Sequence, residues 1–212
     1  MLTEDYARII NSLKGRVKEW KIALGGVVLI PLHAGFDLLI VGKRPLGYSS
    51  DFKWTFTASV IIKWPPSKIA EAYRKLKAME CELRVEGFFR RRYSFVESTV
   101  RRALFPSMKF DKRLAKSLEE SHELADLLRR ASPDELYIST YYELKPGKSV
   151  VECLFESFSR PEKLGWLITA SKGPEADLIL PRVARAMYDL LDQLAHHLRR
   201  LTPLLLEEGV KP

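Results

Sequence analysis

The residues whose types and spacing bear most directly on chemistry lie between Cys81 and Arg102, in the stretch CELRVEGFFRRRYSFVESTVRR. Arg90, Arg91 and Arg92 stand in a row among Phe88, Phe89, Tyr93 and Phe95. Guanidinium forks match phosphate oxygens, and flat aromatic rings stack on unpaired bases, so this mixture suits a nucleic acid or another polyanion. Lys43 and Arg44, in the glycine- and hydroxyl-bearing stretch Gly42–Asp51, supply two further cations. The expected nucleic-acid contacts are therefore Lys43, Arg44, Arg90, Arg91, Arg92, Arg101 and Arg102 for backbone charge, with Phe88 and Tyr93 stacking.

Strand geometry sets a condition on that reading. Consecutive strand residues point to opposite faces, so Arg90 and Arg92 share one face with Phe88 and Val96, and Arg91 shares the other with Phe89, Tyr93 and Phe95. The three arginines form one patch only where a bulge re-aims one of them. Otherwise they protect an edge strand by charge and pair with Glu82, Glu86 or Glu97.

Other chemistries have thin support. Gly147–Ser149 reads GKS, but Tyr142 stands where a phosphate-binding loop needs its first glycine. Glu119 and His122 have the i, i+3 spacing of carboxylate-bridged metal bundles, yet no second such pair exists in the chain. Asp192 and His196 at i, i+4 make a local helical pair. No GxSxG elbow is present. No metal or cofactor is expected.

The elements that must position these groups follow from periodicity. Thr3–Trp20 is predicted helical, with Thr3 as cap and an apolar stripe of Tyr6, Ile9, Ile10, Leu13 and Val17. Strands are expected at Val27–Pro31 and Phe36–Val41, then a loop over Gly42–Asp51. Phe52–Lys63 alternates with period two: Phe52, Trp54, Phe56, Ala58, Val60 and Ile62 face one way. Ser67 caps a helix to about Met79, and a hairpin turns at Gly87 between Glu80–Glu86 and Phe88–Thr99. Asp111–Ala131 reads as one charged helix. Leu136–Leu144 and Val150–Ser159 read as a hairpin, and Leu164–Ala170 as a further strand. Leu180, Ala184, Met187, Leu191, Leu194, Leu198, Leu201 and Leu205 form a heptad stripe on a C-terminal helix that Pro203 ends or kinks.

The predicted class is α+β, a mostly antiparallel sheet packed by helices with a long C-terminal amphipathic helix. The 212 residues are expected to form one unit over 1–212, with a subdivision into 1–107 and 111–212 as the alternative. Hydrophobic content of 46% excludes global disorder. The net charge of +8 favours anionic partners over cationic ones. A single asparagine, Asn11, and a single glutamine, Gln193, suggest a protein that works hot. The two cysteines, Cys81 and Cys153, are expected as buried thiols. No apolar run is long enough to span a bilayer, and a cytoplasmic chain without membrane partners is expected.

The function expected from these residues is non-catalytic binding of a nucleic acid or polyanion. Two alternatives stand beside it. In one, Trp54, Phe56, Tyr141, Trp166 and Met187 line an apolar ligand or enzyme cavity under the C-terminal helix. In the other, Leu191, Leu194 and Leu198 join two copies of the chain.

Overall fold

The computed structural model describes residues 2–17, 21–23, 27–31, 38–45, 52–87, 91–143 and 163–207. Among the described residues eight strands form one antiparallel sheet: β1 (Lys21–Ala23), β2 (Val27–Pro31), β3 (Leu38–Pro45), β4 (Phe52–Ile62), β5 (Cys81–Glu86), β6 (Arg92–Glu97), β7 (Glu135–Glu143) and β8 (Lys163–Lys172). Their order across the sheet is β1-β2-β3-β4-β8-β7-β5-β6. The helices are α1 (Leu2–Ser12), α2 (Ile69–Ala78), α3 (Thr99–Leu104), α4 (Arg113–Glu119), α5 (His122–Ala131) and α6 (Leu180–Glu207), with a 3-10 turn at Pro174–Ile179 leading into α6. The class is thus α+β with a long C-terminal helix, as the periodicities predict.

The period-two pattern of β4 explains its central place. Trp54, Phe56, Ala58, Val60 and Ile62 are buried on the helix-covered face. Each large side chain removed from water there contributes roughly 1.5–3 kcal/mol. On β8, which pairs with β4 from Trp54↔Lys172 to Ile62↔Leu164, the matching residues Leu164, Trp166, Ile168 and Ala170 are fully buried. Gly165 lets these two strands approach: a Cβ there would lie 1.8 Å from the Val60 carbonyl oxygen.

The apolar stripe of α6 closes this core from above. Leu191, Leu194 and Leu198 are all 0% exposed, packed within their own chain, so none of the three is left at the surface for a second copy. The helix runs through Pro203 to Glu207. One turn earlier, Thr202 ties this segment in: its hydroxyl donates to the Leu198 carbonyl and accepts from Trp166 Nε1 at 2.8 Å. Four of the five residues expected to line an apolar cavity lie in the core. Trp54, Phe56, Trp166 and Met187 are at most 1% exposed. Tyr141 alternates with the buried face of β7 and points to the other side of the sheet.

Several local expectations are corrected. The first helix ends at Ser12, because Gly15 turns the chain with φ of 85°. Thr3 lies inside that helix, which begins at Leu2. Gly42–Pro45, expected as loop, continue β3 and pair with Phe52–Thr55; residues 46–51 lie outside the described set. Ser67 is not the cap of α2, whose N-cap is Lys68. The expected helix over Asp111–Ala131 divides in two, because Ser121 adopts an extended backbone and its hydroxyl accepts from the Leu124 amide, starting α5. Among the described residues β7 pairs with β8, from Glu135↔Ser171 to Glu143↔Lys163, and with β5 at Cys81↔Ile138 and Glu82↔Tyr137; Val150–Ser159 and Cys153 lie outside the described residues. Ser98, expected within a strand, caps α3 by accepting from the Arg101 amide.

Candidate anion-binding cleft

The expected nucleic-acid contacts are dispersed. Lys43 and Arg44 sit on β3, opposite Trp54 and Lys53 of β4. Five strand steps separate β3 from β6, about 24 Å at the usual spacing of about 4.8 Å. Arg91 Nη1 donates to Asp134 Oδ1 at 3.0 Å and to Ser132 Oγ at 3.1 Å. Tyr93 is half-buried with its hydroxyl 3.4 Å from Ser132 Oγ. Arg101 is largely buried, stacked 4.2 Å from the Phe105 ring centre and 3.5 Å from Glu80 Oε2. Arg102 pairs with Glu97. Arg92 is exposed at the start of β6. Phe88 and Arg90 lie outside the described residues. Three of the expected phosphate contacts, Arg91, Arg101 and Arg102, are thus engaged by carboxylates.

A different cluster of arginines converges. Arg16, Arg130, Arg182 and Arg185 line a cleft of about 470 Å³, together with Leu127, Pro181, Ala186 and Asp189. Three elements build it. The turn at Gly15 delivers Arg16 after α1. Arg130 belongs to the last turn of α5, where a helix C-terminus favours cations. Arg182, Arg185, Ala186 and Asp189 fall at i, i+3, i+4 and i+7, on one face of α6 away from its buried stripe.

Two of the arginines are held in place. Arg16 pairs with Asp189. Arg185 donates through Nε and Nη2 to the Ser12 carbonyl oxygen at 3.2 and 3.1 Å, which fastens α6 to the end of α1. All four arginines are exposed. Four guanidiniums face one carboxylate, so the lining carries an excess of three positive charges. A bound anion relieves that excess. The volume falls within the usual range for small ligands.

The reason this cluster escaped sequence reasoning is its connectivity. In the sequence Arg130 reads as one of two adjacent arginines at a helix end, and Arg16 lies 173 residues from the Asp189 that holds it. The one local signal was the i, i+3 repeat of Arg182 and Arg185 beside the apolar stripe of α6.

The remaining chemical candidates stay local. Glu119 accepts from the Phe95 amide at 2.8 Å, and His122 is exposed at the start of α5, so the two serve local structure. Among the described residues no group of three or more His, Cys, Asp or Glu is placed to hold a metal ion. Burial, with Glu80, Glu82 and Glu119 nearby, pushes the Cys81 thiol far above its ordinary pKa and keeps it un-ionised. His197 is held below the ordinary histidine value by burial first, then by Arg200 and His196. No described helix is long and apolar enough to cross a membrane.

The architecture and cleft together describe an α+β chain with a one-sided helical layer and an arginine-lined recess in that layer. No protein-family profile, no curated protein and no solved structure matches the chain.

Proposed function

We propose that the chain binds a compact anion, a phosphate group, in the cleft between α1, α5 and α6. The observation that carries this reading is the convergence of Arg16, Arg130, Arg182 and Arg185 around a space holding one carboxylate. Guanidinium groups bind phosphate oxygens in pairs, with charge-assisted hydrogen bonds roughly twice as strong as neutral ones. Arg130 and Arg182 form the receiving pair. Arg185 and the Arg16–Asp189 pair complete the lining.

Binding is favoured over catalysis by the nature of the lining. Its only side chain able to accept a proton is Asp189, which Arg16 engages. A compact anion is favoured over a polymer because the cations gather in a recess. A nucleic-acid backbone asks for cations in a line, and Arg91, Arg101 and Arg102 are taken by Asp134, Glu80 and Glu97.

Calorimetric titration of inorganic phosphate at low ionic strength tests the reading. Arg130→Ala combined with Arg182→Ala is expected to weaken binding by about thirtyfold or more, since each lost contact to a charged group is worth at least roughly 1 kcal/mol. Arg84→Ala, on the exposed side of β5, serves as the control and is expected to bind as the wild type does. Equal binding by the double variant and the control sinks the assignment.

A further inference from the structure

The ligand class can be taken one step further, resting on the phosphate reading above. Leu178 is 85% exposed and Ile179 is 49% exposed, side by side in the 3-10 turn that precedes α6. Leu180 has helical backbone angles, φ −49° and ψ −44°, so the turn runs into α6 without a break. Leu178 and Ile179 therefore stand at i−4 and i−3 from Arg182, one turn ahead of it on the same face. That face carries two apolar residues and then Arg182, Arg185 and Asp189. Pro181, Ala186 and Leu127 extend apolar surface into the cleft itself.

A single exposed apolar side chain is ordinary, but two adjacent ones beside a strongly cationic recess are not explained by packing among the described residues. Of the nearby acids, Glu175 pairs with Lys172 at 3.2 Å and the Asp177 carboxylate is held toward Trp54, whose Nε1 donates to it at 2.5 Å. We infer that the natural ligand is a phosphate monoester with an apolar substituent. Its phosphate enters the cleft at Arg130 and Arg182, and its apolar chain lies over Pro181 onto Ile179 and Leu178.

The test is a calorimetric series of inorganic phosphate, ethyl phosphate, butyl phosphate and hexyl phosphate, each below its aggregation concentration. Full burial of a methylene is worth about fourfold in affinity, and a half-covered chain on an open lip about twofold. Affinity is expected to rise about twofold per methylene in the wild type. Leu178→Ser combined with Ile179→Ser is expected to abolish that rise while leaving inorganic phosphate bound as before; both side chains are exposed, so the fold tolerates the change. Two results overturn the inference and leave the phosphate site standing: affinity independent of chain length, or a rise that persists in the double variant. Failure of every member of the series, inorganic phosphate included, overturns the phosphate reading itself.

Discussion

Asp189→Asn is the perturbation whose outcome depends most specifically on the proposed site. Asp189 is the sole carboxylate in the cleft, and it pairs with Arg16. The asparagine removes one negative charge from beside the ligand and frees the Arg16 guanidinium to turn toward it. For a phosphate charge roughly 6 Å away, Coulomb's law gives about 0.7 kcal/mol at the dielectric of water and about 2.8 kcal/mol at an effective dielectric of about 20. The Asp189 and Arg16 side chains are 25% and 41% exposed, which places the effect between these limits, at about a tenfold gain in phosphate affinity. The loss in stability is small, because a half-exposed ion pair contributes at most about 1 kcal/mol. Affinity and stability thus move in opposite directions, whereas general damage to the fold lowers both. Titration calorimetry with phosphate, paired with urea unfolding, reads the two quantities. A folded variant whose phosphate affinity is unchanged or weaker would refute the electrostatic account of the cleft.

Two further outcomes concern the frame that holds the site. Gly165→Ala places a methyl group 1.8 Å from the Val60 carbonyl oxygen, so β4 and β8 must separate at the centre of the sheet; a loss of about 3 kcal/mol or more is expected in urea unfolding, and a loss below about 1 kcal/mol would contradict the close approach of the strands. Burial pushes the Asp134 carboxyl up, but hydrogen bonds from Lys172, the Gly173 amide and Arg91 outweigh it and hold the group below its ordinary value. A depressed carboxylate stabilises the fold above its unfolded pKa of about 3.9 and loses that contribution as pH falls through the lower folded value. Asp134→Asn is therefore expected to be less stable than wild type at pH 7, with the gap shrinking at pH 3; an equal gap at both pH values in urea unfolding counts against this role.

The sequence by itself determined the secondary structure wherever one face meets water and the other meets the core. The alternation of β4 and the heptad stripe of α6 were legible because burial on one side imposes a period on the chain, and both elements lie where that period predicts. Boundaries set by single hydrogen bonds were less visible. Ser121 divides a helix through one hydroxyl-to-amide bond, and the turn at Gly15 follows from a backbone angle that its neighbours do not announce. The row Arg90–Arg92 drew attention because its members are adjacent in the chain, yet adjacency along a strand sends side chains to opposite faces. Tertiary structure alone decided which charges are engaged and which converge. Arg91 and Arg101 find carboxylates on distant segments, Asp134 and Glu80. Arg16, Arg130, Arg182 and Arg185 meet because α1 and α5 both pack against α6. An ion pair acts over a few ångströms of space whatever the length of chain between its partners. The periodicity that builds the core therefore leaves no mark of it in the sequence.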